Sequence, residues 1–296
     1  MKNRFYFNQR SISFNSIFNS EKVNEHLDKF KNIIENGWLI TYYDEREICR
    51  VEISKVYYNF DFSNFSKSIL SEIVNYFEPE KYSLKVASGN QEIRLRGGEL
   101  FIDNERYEKM VSIVNSTDKS KALSMNVGLV KVDKDKYPKS YTILTSFTNK
   151  HYKSSLPDKI KSFSDNLINF NVNIDFHIKT IEDLKNKEVS LKDFVKSISI
   201  DKKNDKVIKS VELKLRALGK KLVYDNGYNF WNKRNNPESE AFISLSNFNS
   251  NNMDNISDFK VNCKVLYNAY VELFKDSDTS IIARESRRII ESFENI

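Results

Sequence analysis

Seven glycines in 296 residues is roughly a third of the ~7 % found in ordinary globular chains. That scarcity limits this chain more than any motif it carries. Loops that cradle phosphate need glycine so that backbone N–H groups can approach the anion, and neither G-x-G-x-x-G nor G-x-x-x-x-G-K-[ST] occurs. Dinucleotide and P-loop chemistry are therefore disfavoured. Five of the seven fall in turn signals: Asn36-Gly37, Gly89-Asn90, Gly97-Gly98 and Asp225-Asn226-Gly227.

Other counts narrow the chemistry further. Three histidines, His26, His151 and His177, lie far apart, so a histidine relay or multi-histidine metal cage has few members to draw on. Cys49 and Cys263 form no C-x-x-C pair and read as buried reduced thiols. No metal site and no cofactor is expected. The chain is 40 % apolar and 13 % aromatic, enough to fill a core without disulfides or metals. Residues 1–10 lack the apolar core of a secretory signal, and no run approaches the ~18 apolar residues of a membrane span. A cytoplasmic protein without membrane contact is expected.

Net charge is +6, made with 35 Lys and only 12 Arg. Forked contacts to bases and phosphates favour Arg, so weak non-specific nucleic-acid attraction is expected and dedicated readout is not. The lysine excess, with abundant Asn, Ile, Phe and Tyr, suits an A/T-rich coding sequence, as in a low-GC bacterium or its phage.

Periodicity predicts an α+β fold of mainly antiparallel hairpins and a meander, packed with amphipathic helices and ending in helices. Helices are expected over 20–34 (Val23, Leu27, Phe30, Ile34), 64–77 (Phe65, Ile69, Ile73, Phe77), 103–114 and 158–170. Two more close the chain, one through Leu266 and Tyr270 and one capped by Thr279. Strands are expected at 38–43, 48–58, 82–87, 92–96, 99–102, 122–132 and 141–148, with Gly97-Gly98 as a hairpin turn. In the second half, strands are expected at 172–178, 197–201, 207–215, 222–230 (turning at Asp225-Asn226-Gly227) and 242–248. The polar stretch 149–157 ends in Pro157 and predicts a boundary between an N-terminal half, 1–149, and a C-terminal half, 157–296.

One constellation has an enzymatic echo. On a strand over 207–215, Glu212 and Lys214 project from one face, with Asp201 ending the strand before it. Glu212-Leu213-Lys214, with Asp201 before it, is similar to the E-x-K half of restriction-type PD-(D/E)xK nucleases, over some fifteen residues. The resemblance implies Mg²⁺ held by the acids and a water steadied by Lys214. The same face also carries Ser210 and Arg216, while Val207, Val211, Leu213 and Leu215 make the other apolar, as on any half-wet strand. Asn173, Asp175 and His177 share a strand face in the same way, without a third metal ligand.

A binding surface reads more naturally. The segment 220–236 interleaves Lys220, Lys221, Lys233 and Arg234 with Tyr224, Tyr228, Phe230 and Trp231. Aromatic and basic side chains together suit a protein-binding hot spot or stacking on single-stranded bases. Arg284, Arg287 and Arg288 cluster on the last helix. The expectation is a non-enzymatic protein that docks on a protein partner, with homo-oligomers allowed. Size and composition are compatible with a phage-encoded inhibitor of a bacterial defence nuclease complex. The alternatives are the Mg²⁺-dependent nuclease and a non-catalytic nucleic-acid binder.

Overall fold

A computed structural model describes residues 5–7, 12–52, 62–87, 90–116, 122–133, 138–149, 170–199, 205–227 and 236–296. It shows an α+β fold whose paired strands run antiparallel. The chain divides into two compact units, residues 1–130, 143–176 and 278–280 in one, and 131–142, 177–277 and 281–296 in the other. The expected helix over 158–170 lies almost wholly outside the described residues.

The first unit holds two sheets. A four-stranded sheet has the order β1 (Phe5–Phe7), β5 (Arg46–Glu52), β4 (Trp38–Tyr43), β3 (Phe30–Glu35). A six-stranded sheet has the order β10 (Pro138–Asn149), β9 (Leu123–Val132), β8 (Glu105–Ser116), β7 (Asn90–Ile102), β6 (Lys81–Ala87), β2 (Ile12–Ile17). Residues 131–142, which comprise the end of β9, the connection and the start of β10, cluster with the second unit. Helices α1 (Ser20–Asp28) and α2 (Phe62–Tyr76) bury Val23, Leu27, Phe62, Phe65, Ile69 and Ile73. Each such side chain contributes about 1.5–3 kcal/mol by leaving water.

A glycine-poor chain needs another way to turn its hairpins. Consecutive left-handed residues, as in a type I′ turn, close β3–β4 at Asn36 (φ 50) and Gly37 (φ 81), β4–β5 at Asp44 (φ 51) and Glu45 (φ 61), and β7–β8 at Asp103 (φ 55) and Asn104 (φ 62). Asn and Asp tolerate this region because their short polar side chains bond locally. Glu45 has no such compensation. Glu45→Gly is therefore expected to raise stability by about 0.5–1 kcal/mol, read as a higher urea midpoint with an unchanged slope.

Three expectations in this unit are corrected. The helix from Ser20 stops at Asp28, and 30–35 is strand β3, because Asn36-Gly37 is a hairpin signal and not a helix cap. Gly97-Gly98 is a bulge inside the continuous β7, not a turn. A Cβ on Gly97 would stand 2.5 Å from the Glu78 carbonyl oxygen, so the close approach itself requires glycine. Residues 105–116 form β8 and not a helix; nearly every position from Tyr107 to Ser116 is buried, so no two-residue alternation marks the strand.

Helix α3 (Phe170–Lys185) replaces the strand expected at 172–178. The rest of the second unit is chiefly helical: α4 (Leu191–Ser199), α5 (Asp205–Asp225), α6 (Pro237–Ser246), α7 (Cys263–Glu272) and α8 (Thr279–Glu294), with a small β11–β12 ladder (Glu188–Ser190, Lys260–Asn262). The strands expected at 207–215 and 242–248 are not formed, and of the one expected at 197–201, residues 197–199 end α4 and 200–201 lie outside the described residues. Helix α5 runs through 207–225 and ends at Asn226-Gly227, where Gly227 has φ 67; the hairpin expected there is a helix terminus, and 228–230 lie outside the described residues. The two closing helices are formed, with Leu266 and Tyr270 in α7 and Thr279 as the first residue of α8 rather than its cap.

Candidate functional site

Helix α5 decides what the singled-out residues of the second unit can do. Positions two apart on a helix are about 200° apart around its axis, so Glu212 and Lys214 face different neighbours. Glu212 Oε1 accepts the backbone N–H of Ser250 at 2.7 Å, satisfying the start of the 3₁₀ turn Ser250–Asn255, and Arg216 lies 3.8 Å from its other oxygen. Lys214 Nζ donates to both carboxylate oxygens of Glu285 on α8, each at 2.9 Å. The strand face that would align Glu212 with Lys214 is absent, and Asp201 lies outside the described residues.

Glu285 is the hub of a buried ionic cluster. It is 2 % exposed and accepts from Tyr270 Oη at 2.8 Å and from Arg284 Nη2 at 3.1 Å, besides Lys214. Burial alone would raise its pKa; the hydrogen bonds from Lys214 and Tyr270 and the nearby cations outweigh it, and the net shift is downward. The Tyr270 hydroxyl is pushed up by burial and by that carboxylate. Such a fixed carboxylate, saturated by donors, orders a core rather than moving protons. Arg288 donates to the Ile198 carbonyl oxygen at 3.3 Å, and Arg284 is bound to Glu285, so the arginine cluster is largely used within the unit.

A second polar core lies in the first unit. Glu92, 3 % exposed, accepts the N–H of Thr279 at 2.9 Å and its hydroxyl at 2.7 Å, and pairs with Arg94 at 3.0 Å. Asn126 Nδ2 donates to Thr279 Oγ1 at 3.1 Å and to Ser112 Oγ at 3.2 Å, while Ser146 donates to Asn126 Oδ1 at 2.8 Å. Thr279 is thus held through its N–H and its hydroxyl by a carboxylate from β7. On the same face of β6–β8, Glu108 binds Lys81 and Arg96.

His26 stacks on Phe14 at 4.4 Å and its Nδ1 lies 3.1 Å from Tyr82 Oη. Burial and then Lys29 lower its pKa. Nearby, Asp28, Lys29, Lys31, Ile33, Tyr42, Asp44 and Glu45 line a concavity of about 450 Å³; its charges are mixed in sign, and Asp28 is paired with Lys67. Among the described residues no group of three or more His, Cys, Asp or Glu could hold a metal ion. Asn173, Asp175 and His177 lie on α3, not on a strand face.

Of the expected binding residues, Tyr224 is described and Tyr228, Phe230, Trp231, Lys233 and Arg234 are not. Tyr224 is 81 % exposed on the last turn of α5. Leu213, three turns earlier and 65 % exposed, shares its stripe, with Ala217 and the exposed Lys220 between them at helical spacings of four, three and four. The opposite stripe, Val211, Leu215, Leu218 and Leu222, is buried. Read as a strand, Leu213 belongs to the core; only a helical reading of 211–222 turns it outward.

No family model matches the chain, and neither a curated protein nor a solved structure resembles it. Among the described residues no helix is long and apolar enough to cross a membrane.

Proposed function

We propose that this chain is a non-catalytic binding protein that lays the outer stripe of α5 into an apolar groove on a protein partner. The observation that carries the reading is the pairing of Leu213 and Tyr224, 65 % and 81 % exposed, on one helical stripe. Helix-in-groove recognition lays the apolar side chains of one helix face into a groove, and an exposed leucine and tyrosine three turns apart on one stripe are such side chains. Exposed Lys209 precedes them and exposed Lys220 lies between them, so the groove is rimmed with acid. A phage-encoded inhibitor seated on a bacterial defence nuclease complex is one pairing of this kind.

Leu213→Ala and Tyr224→Ala are expected to weaken the partner's Kd at least tenfold each, about 1.4 kcal/mol, with no loss of thermal stability because both side chains are in water. The partner is recovered by stoichiometric capture from a host lysate and its affinity measured by calorimetry. A partner that binds the double variant as tightly as the native chain refutes the stripe. Divalent-metal-dependent cleavage of plasmid or single-stranded DNA, lost in Glu212→Ala or Lys214→Ala, refutes the non-catalytic reading.

A further inference from the structure

The six-stranded sheet ends on β2, whose sequence Ile12-Ser13-Phe14-Asn15-Ser16-Ile17 contains no charge, no proline and no glycine. Edge strands are ordinarily guarded by lysine, proline, a bulge or shortness, since an open row of N–H and C=O groups templates further pairing. The other described edges carry such guards: β3 has Lys31 and Glu35, β10 begins Pro138-Lys139, and β1 is three residues long. Along β2 the register with β6 is unbroken from Ile12↔Val86 to Ile17↔Lys81.

That register fixes which backbone groups are free for a partner. Phe18 N donates to Glu80 O at 2.7 Å, in step with the ladder, so Phe18, Ser16 and Phe14 turn their polar groups toward β6. Ser13, Asn15 and Ile17 alternate with them and turn theirs away from the sheet. All three side chains are exposed, Ile17 at 79 %.

We propose that β2 is a homodimer seam, pairing antiparallel with β2 of a second copy of this chain about a two-fold axis at Asn15. A two-fold axis through a continuous sheet keeps each face on its own side, so paired residues must have the same orientation. Centred on Asn15, the register sets Asn15 against Asn15 of the other copy and Ser13 against Ile17, twice. Every outward N–H and C=O of the three residues then finds a partner. Asparagine suits the axis, because one amide both donates to and accepts from its twin.

The second copy is favoured as occupant by what the edge lacks. Self-pairing sets like residues on or near one another, and like charges placed so are destabilising; β2 has none. Of the β6 residues paired with β2, Lys81 and Lys85 carry charge, and both sit one strand inward. Each is three strand spacings, about 14 Å, from its symmetry mate's strand, beyond the ~8 Å screening length of physiological salt. A five-residue strand pair is small against a stable dimer interface, so association is weak and concentration-dependent. This inference is independent of the α5 stripe, which is on the other unit.

Sedimentation velocity over a range of about 1–300 µM tests it, beside hydrogen exchange of the Ser13, Asn15 and Ile17 amides. The native chain shifts from monomer to dimer, and those three amides gain protection as it does. Asn15→Pro removes an outward N–H without touching the β2–β6 ladder, and Ile17→Lys places a guard on the edge. Each weakens dimerisation at least tenfold, and Leu213→Ala leaves it unchanged. A monomer throughout the range overturns the proposal, whether or not an extended peptide of another protein adds to β2. So does a dimer that both variants leave intact, or one whose outward amides exchange as fast as in the monomer.

Discussion

Gly219→Ala is expected to cost about 3 kcal/mol or more, although alanine is the better helix former by about 1 kcal/mol. Gly219 sits in the middle of α5, where glycine on its own is unfavourable. A Cβ there would stand 2.6 Å from the carbonyl carbon of Leu245, with the Ser246 backbone N nearer still. Neither atom is the end of a flexible side chain that can swing aside; both are the backbone of α6. The two helices must separate, loosening contacts around Leu215, Leu218, Phe242 and Leu245, all fully buried. Urea denaturation reads the loss as a lower midpoint. Gly37→Ala is the control: nothing lies within 4 Å of its Cβ, but φ is +81, so only the left-handed penalty of about 1–2 kcal/mol applies. Equal losses at the two positions would mean that α5 and α6 do not cross so closely.

The fold class was legible in the sequence, and so were the elements whose period is unambiguous. Phe65, Ile69 and Ile73 repeat at four and recur as the buried stripe of α2, with Phe77 buried just past its end, and the polar–apolar alternation of 81–87 recurs as β6 with Tyr82, Leu84 and Val86 buried. Failures cluster where one short window satisfies two periods. Within 207–215, Val207, Val211, Leu213 and Leu215 alternate like a strand; only extension to Leu218 and Leu222 shows the helical stripe, and Leu213 then faces water. Residues 172–178 repeat the ambiguity: Ile174 is buried but Phe176 is 55 % exposed, while His177, Ile181 and Leu184 continue the stripe at helical spacing. At 242–248 a local signal stood just upstream. Asn236 caps α6, its Oδ1 accepting the N–H groups of Glu238 and Ser239 at 3.0 and 3.4 Å, with Pro237 at the first helical position.

The buried ionic clusters were not legible, because their members are far apart in sequence. Glu285 and Lys214 are 71 residues apart, and Glu92 and Thr279 are 187 apart. Nothing in a local window distinguishes Glu285 from the surface acids around it. Its partner Lys214 was read as a residue steadying an attacking water; the helix instead turns its ammonium onto a carboxylate of the same unit. Of the aromatic and basic residues expected to bind, Tyr224 is the one among the described residues, and it is exposed at the end of α5.

The Lys214–Glu285 pair makes the second large prediction, and its asymmetry is the informative part. Lys214→Met is expected to destabilise by about 3 kcal/mol, the lower end for stranding a buried charge, because Tyr270 and Arg284 still donate to Glu285. Glu285→Gln should cost less, about 2 kcal/mol, since the Lys214 side chain is 21 % exposed and its ammonium can reach water along its own stem. The pH dependence follows from the sign of the shift. Glu285 titrates below the ordinary carboxylate value in the native fold, so the unfolded chain binds its proton first on acidification, and the pair's contribution, complete above about pH 4.5, is lost as pH falls through the native value. Lys214→Met removes the first of the hydrogen bonds that oppose burial, so the carboxyl's pKa rises and protonation no longer costs the variant what it costs the native chain. The stability gap between the two should therefore be widest near pH 7 and narrow below about pH 4.5, measured as urea midpoints across that range. A gap independent of pH would mean that Lys214 contributes packing rather than charge.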